Sequence, residues 1–265
     1  MDDIRTAAIV EDIVEGLREV IRRHRVTYAE YRGALDFLME TVNQGEFPLL
    51  SDVLLEAVVD AAAQSGSDGT DSNVEGPFYI ADAPLLEADG VTPVLPMRPD
   101  EPGDRLLFTG AVRSTAGTAL PSAVIDLWQA DGDGLYSRFA PDLPEWNLRG
   151  RIRCDSDGTF AVTTVVPAAY DIPRHPHTSR VLDLLGLKPH RPAHIHCKVR
   201  APGHRELTTQ VYIAGDPWLD QDVVGAAKPS LVTELEKAGD TDNHAYRCRF
   251  DFVLTESTNT ATGNR

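Results

Sequence analysis

RPAHIHCKV, residues 191–199, is the stretch on which the reading of this chain turns. In a strand, side chains alternate between faces with period two, so His194 and His196 point one way while Ile195, Cys197 and Val199 point the other. That alternation predicts a half-buried strand. It also sets the two imidazoles roughly 6 to 7 Å apart along the backbone, near enough to share one ion. Taken alone, the pair fits equally a solvated strand face carrying two polar residues, so the rest of the chain has to decide.

On both sides of this segment the apolar period stays that of strands: RLLFTGAV near 105–112, AVIDLW at 123–128, TFAVTTVV at 159–166, LTTQVYIA at 207–214 and AYRCRFDFVL at 245–254. Turn signals at Thr115 to Gly117 and Asp155 to Gly158 punctuate them. Short strands without alternating helices predict a mainly β protein, an antiparallel β-sandwich rather than a parallel sheet. Upstream, from residue 3 to about 64, the period is helical. Val10, Ile13, Val14, Leu17, Val20 and Ile21 form one stripe, Tyr28, Tyr31, Leu35, Leu38 and Val42 a second, and Leu54, Leu55, Val58, Val59 and Ala62 a third. Thr27 with Glu30 reads as a capping box, and Gly45 with Pro48 separates the second helix from the third. Three short helices bury little by themselves, so their stripes must dock on the rest of the chain or on a second subunit. The Gly-, Ser- and Asp-rich run Gln64 to Asn73 marks the boundary. The expected organisation is a helical linker or dimerisation domain at 1–72, a β-sandwich at 73–255 and a polar tail at 256–265.

Composition narrows the function. With 265 residues and 42% hydrophobic content the chain can bury a sizeable core. Its 25 Lys and Arg against 41 Asp and Glu give a formal charge of −16, which opposes binding to nucleic acid or to an anionic lipid surface. Cys154, Cys197 and Cys248, an odd number with no CxxC spacing, argue against a disulfide framework and against a thiolate zinc site. The acidic start MDDIRTAAIVEDIVEG has neither the basic start nor the apolar run of a signal peptide, and no segment is apolar for long enough to insert into a bilayer. A cytoplasmic protein is expected.

Six blocks taken in order carry a resemblance: EGPFY at 75–79, VIDLWQADGDGLYS at 124–137, LRGRI at 148–152, VVPAAYDIP at 165–173, RPAHIH at 191–196 and LTTQVYIAGDPWLDQDVV at 207–224. Together they resemble the intradiol ring-cleaving dioxygenases, over about residues 46 to 254. The chain is similar to the catechol and chlorocatechol 1,2-dioxygenase branch, with LPMRPDEPGDR at 95–105 and AAKPSLV at 226–232 leaning toward the chlorocatechol type.

The resemblance implies one non-haem Fe(III) per subunit, held by Tyr136, Tyr170, His194 and His196. The chemistry agrees: phenolate is a hard oxygen donor suited to a trivalent ion, and imidazole suits iron generally. Zinc would more often draw on Cys, His and carboxylate. The resemblance also implies that Arg191 sits beside the substrate to steady negative charge on the ring, and that Gln210 lies near the iron, donating to a bound oxygen or orienting a ligand, with a cross-strand amide bond as the other reading. Asp52, Val53, Val74, Gly76, Phe78 and Val224 would contact the substrate ring, ordinary core packing being the alternative for each. His175, His177 and His190 are expected in an exposed loop and belong to no site. The implied reaction inserts both atoms of O2 into catechol or a chloro- or methylcatechol between the hydroxylated carbons, giving a cis,cis-muconate; Tyr170 would leave the metal and take a substrate proton. Hydroxyquinol cleavage to maleylacetate is the near alternative, and a transthyretin-like binding module without metal the remote one. A homodimer through the amino-terminal helices, with a phospholipid between them, is further implied.

Overall fold

The computed structural model describes residues 3–64, 66–87, 90–239 and 243–257. Helix α1 (Asp3–His24) is followed by α2 (Tyr28–Asn43) and by a third helical segment in three parts. These are α3 (Phe47–Ser51), a π-helical turn (Asp52–Glu56) and α4 (Ala57–Gln64). The capping box forms: Glu30 N–H donates to Thr27 Oγ1 at 3.3 Å, and Thr27 N–H donates to the Glu30 carboxylate at 2.8 Å. Helix α1 buries no residue in this single chain, and Ile13 and Leu17 stay 58% and 60% exposed.

Two five-stranded sheets face each other. In the first, β1 (Arg105–Ser114) pairs antiparallel with β4 (Thr159–Val165) on one side. On its other side β1 meets β11 (Tyr246–Arg249) and then β12 (Phe252–Leu254), both parallel, and β10 (Glu236–Lys237) completes the edge. The second sheet runs in the order β3 (Arg149–Arg153), β2 (Val124–Gln129), β7 (His194–Arg200), β8 (Leu207–Ile213) and β9 (Val232–Thr233). All its pairs are antiparallel except β8 with β9. The sandwich is thus mixed rather than strictly antiparallel. The departures occur where a strand reaches its partner through a long connection instead of a hairpin, which is what a parallel pair requires.

The expected single strand at 245–254 is split. Phe250 N–H donates to Thr109 O and Asp251 Oδ1 accepts from Ala111 N–H, both at 2.9 Å, so the chain steps past β1 between the two short strands. Gly110 permits the step, since a Cβ there would lie 1.8 Å from Phe250 O. The segment around His177 is also not a loop. Pro176 opens α5 (Pro176–Leu185), where a proline in the first turn sacrifices no helical hydrogen bond. Its His177 is half-buried, its N–H and ring Nδ1 lying 3.0 and 2.9 Å from the Glu46 carboxylate, and His190 is half-buried with its ring 3.8 Å from that of Trp218. Only His175 is exposed as expected.

The core between the sheets comes from their inward faces: Phe108, Val112 and Val162 from one, Ile125, Leu127, Ile195, Cys197, Val199 and Val211 from the other. Strand β7 is buried on both faces, not one; His194 and His196 are each 1% exposed. What covers the second face is the irregular strap after α4. Asn73 N–H donates to Thr208 O at 2.8 Å, and Leu85 and Val94 form single bridges to Arg151 and Thr163. Beyond β12, Ser257 N–H donates to Gly203 O at 2.9 Å; residues 258–265 of the expected tail lie outside the described residues.

Candidate metal centre and substrate pocket

Strand β7 supplies two imidazoles to one point, with His194 Nε2 and His196 Nε2 3.0 Å apart. His194 Nδ1 is 2.7 Å from Pro192 O, a contact that fixes the proton on Nδ1 and leaves Nε2 a lone pair. Trp128, paired with His196 across β2 and β7, stacks on its ring at 4.6 Å. Tyr136 arrives from the loop after β2, where Asp131 Oδ1 accepts from the N–H groups of Asp133 and Leu135, each at 2.9 Å, and so bends the chain. Buried Arg149 clasps that loop, donating to Ser137 Oγ at 2.7 Å and to Phe78 O at 2.7 Å, with its guanidinium 5.9 Å from the Tyr136 ring centre. Tyr170 sits in a two-residue ladder, β5 (Tyr170–Asp171) against β6 (His190–Arg191), which sets it opposite Arg191.

Four rings from three separated segments thereby converge. Tyr136 and Tyr170 are 5.3 Å apart between centres, Tyr170 and His194 5.6 Å, Tyr136 and His196 6.2 Å, and the two histidines 4.6 Å. Tyr136 Oη and His196 Nδ1 are buried with no hydrogen-bond partner among the described residues. Burial, with the neighbouring Tyr170, pushes the Tyr136 phenol well up, and burial raises Tyr170 against the pull of Arg191. The same burial, aided by Arg191, takes His194 down to about 3 and keeps His196 neutral as well. Neutral imidazoles beside phenols that resist ionisation form a donor set whose oxygen charge needs a cation of high charge to appear. Among the described residues no three His, Cys, Asp or Glu gather to hold a metal, so an ordinary zinc cluster is not built. The residues present fit a hard trivalent ion.

Arg191 is buried, and its Nε and Nη2 are engaged. It reaches Asp222 through Nε at 3.0 Å and Nη2 at 3.2 Å, Gln210 Oε1 at 2.9 Å and Tyr212 Oη at 3.1 Å. Burial works against its charge, but Tyr212, Tyr170 and Asp222 hold it protonated. Gln210 is turned away from the expected role of donor to a bound oxygen: its Nε2 donates to Val74 O at 2.7 Å and its Oε1 accepts from Arg191 and Tyr212. It ties the cation to the strap instead.

A cavity of about 270 Å³ opens beside Tyr170 and Arg191. All six expected wall residues, Asp52, Val53, Val74, Gly76, Phe78 and Val224, line it. Phe78 stacks on Tyr136 at 4.3 Å, and Gly76 adopts φ +70, where a Cβ would lie 3.7 Å from His196 Cε1. Leu49, Pro77, Ile172 and Glu56 are among the remaining residues of walls that are otherwise mainly apolar. Glu56 escaped the sequence reading although it stands one helical turn beyond Asp52, a spacing that names it. Burial, then the Asp52 carboxylate, push its pKa up. Asp222 also escaped. Besides Arg191 it accepts backbone N–H bonds from Val224, Ala226 and Ala227, thereby shaping the loop that carries one cavity wall.

The family profile described as "Dioxygenase" matches residues 74–256, and that described as "Catechol dioxygenase N terminus" matches residues 3–70. A chlorocatechol 1,2-dioxygenase of Rhodococcus opacus is 39% identical over 257 residues, 96% of this chain and 99% of that one. The crystal structure of chlorocatechol 1,2-dioxygenase from Pseudomonas putida superposes with a TM-score of 0.87 at 35% identity, covering 97% of this chain and 100% of that one. Hydroxyquinol 1,2-dioxygenase from Pseudomonas putida DLL-E4 superposes with a TM-score of 0.87 at 32% identity, covering 97% of this chain and 93% of that one. With both halves matched and four rings gathered beside an apolar cavity, this chain belongs to the intradiol ring-cleaving dioxygenases, in their catechol and chlorocatechol 1,2-dioxygenase branch.

Proposed function

We propose that the protein is a ferric enzyme that inserts both atoms of O2 between the hydroxylated carbons of catechol or of a chloro- or methylcatechol, giving a cis,cis-muconate. The observation that carries this reading is the convergence of Tyr136, Tyr170, His194 and His196 on one buried point at the edge of a mainly apolar cavity. Those four side chains would hold one Fe(III) per subunit. The chemistry a bound ferric ion would supply is Lewis acidity, withdrawing electron density from a bound catecholate so that a ring carbon becomes open to dioxygen.

The protein's own groups do the rest. Tyr170 lines the cavity and its phenolate oxygen is the base that takes a catechol proton, a role suited to a group that burial drives toward the protonated form. Arg191, held rigid by Asp222 and Gln210, presents fixed positive charge where the ring becomes anionic, with no reorganisation during the reaction. Val53, Val74, Phe78, Ile172 and Val224 exclude water and set the room for a substituent. Asp52 and Glu56 favour a second reading, hydroxyquinol cleaved to maleylacetate, because each offers an acceptor to a third hydroxyl.

The exposed stripe of α1 supports a homodimer through the helices of the 1–72 unit, an apolar interface in which a phospholipid could be held, with 73–255 as the catalytic unit. No helix among the described residues is long and apolar enough to cross a membrane, and three free buried cysteines suit a reducing, cytoplasmic setting. Oxygen uptake with product identification tests the reading: one O2 consumed per catechol with a ring-opened dicarboxylate formed is expected. Ring opening beside the diol, to an aldehyde, would overturn it.

A further inference from the structure

We propose that Glu56 selects the ring substituent, disfavouring an anionic group and favouring one that donates a hydrogen bond. The proposal rests on reading the cavity as a catechol site. Glu56 closes the π-helical turn, four residues after Asp52 and three after Val53, and all three line the cavity. A π turn is an irregularity that helices retain mostly at functional positions. The Glu56 side chain is partly buried and has no hydrogen-bond or ion-pair partner among the described residues. Its two oxygens are therefore free acceptors on a mainly apolar wall.

The cavity's cation is already paired with a carboxylate of its own. Arg191 is the one basic residue among the lining side chains, and the two Asp222 oxygens already take its Nε and Nη2. A carboxylate substituent reaching the helix would be desolvated beside Asp52 and Glu56, while the charge of Arg191 is shared with Asp222. A hydroxyl in the same place would exchange its water for an acceptor. An apolar wall discriminates weakly between small substituents, whereas a polar group left unpaired when the wrong one binds discriminates strongly.

The test uses the iron-loaded full chain as wild type, Glu56→Gln and Glu56→Leu, with kcat/KM measured for catechol, hydroxyquinol and 3,4-dihydroxybenzoate. In both variants the ratio of 3,4-dihydroxybenzoate to catechol should rise about tenfold, since both remove the charge. The ratio of hydroxyquinol to catechol should fall about tenfold in Glu56→Leu and hold within about threefold in Glu56→Gln, which keeps an acceptor oxygen. Ratios equal to wild type in both variants would overturn the proposal. Should the variants fail to fold, the wild type still decides: phenol should inhibit catechol cleavage at least about tenfold more tightly than 4-hydroxybenzoate, and equal inhibition overturns the proposal. A wild type that cleaves no catechol at all would instead defeat the catechol reading, so the two failures are distinct.

Discussion

Replacing Asp222 by Ala removes a carboxylate that is 2% exposed and that serves two ends at once. On one side Arg191 would keep Gln210 Oε1 and Tyr212 Oη, leaving a buried guanidinium without its counter-charge. On the other, the N–H groups of Val224, Ala226 and Ala227 would lose their acceptor. Breaking a buried ion pair from one side costs about 3–5 kcal/mol, and this is the larger of the two terms because water can reach a loosened loop more easily than a buried guanidinium. Asp222→Asn keeps an acceptor and should lose about 2 kcal/mol. The double variant Arg191→Met with Asp222→Ala should recover most of the loss, since it removes the orphaned charge as well. Urea unfolding of the four proteins at equal concentration measures this directly. The pH dependence has a definite sign. Burial pushes the Asp222 pKa up, but Arg191 beside it prevails and holds the carboxyl below its usual range. A depressed folded-state pKa means that the stabilisation is complete above the unfolded value of about 3.9 and is lost as the pH falls through the folded value. The gap between wild type and Asp222→Asn should therefore be flat between about pH 5 and pH 8 and close only in stronger acid. An Asp222→Ala protein within about 1 kcal/mol of wild type, or a double variant no better than the single, would refute the view that this pair is what fixes Arg191.

Gly110→Ala should destabilise by more than about 3 kcal/mol, or abolish folding, because its Cβ would meet the Phe250 carbonyl at 1.8 Å; a thermal midpoint close to wild type would contradict the strand step described above. Glu46 joins α2–α3 to α5: burial opposes its charge, yet the Thr178 N–H, His177 and the Thr178 hydroxyl hold its pKa below the usual carboxylate range. Its contribution is accordingly present above the unfolded value of about 4.3 and lost on acidification, so Glu46→Gln should lower stability at neutral pH and become indistinguishable from wild type in acid. Leu17→Lys, on the exposed stripe of α1, should convert a dimer into a monomer by light scattering, whereas a wild type that is already monomeric in dilute solution would sink the dimer.

How much of this was readable in advance follows the physics of each segment. Strands β1, β2, β4, β7 and β8 announced themselves through β-branched and aromatic runs, and the helices through their stripes, since local period and burial agree there. Strand β3, Arg149 to Arg153, carries three arginines and no apolar run, so it has no local strand signal; the structure buries Arg149 by giving its guanidinium three oxygen acceptors, a tertiary arrangement no local pattern encodes. Helix α5 hid behind Pro176, a breaker everywhere except the first turn. The histidine pair was legible from alternation alone. That the pair is buried was not, because the cover comes from a strap more than a hundred residues earlier in the chain. The gathering of Tyr136 and Tyr170 beside it rested on resemblance, since each is delivered by loop hydrogen bonds and a two-residue ladder rather than by a periodic element.

The central claim, one ferric ion gripped by two phenolates and two imidazoles, is tested most directly by iron content together with the visible spectrum of wild type, Tyr170→Phe and His196→Ala. The account predicts one iron per chain and a red tyrosinate-to-iron charge-transfer band in wild type, iron retained with an altered band in Tyr170→Phe, and iron lost in His196→Ala. A wild type that stays colourless after ferric reconstitution, or equal iron in both variants, would contradict it.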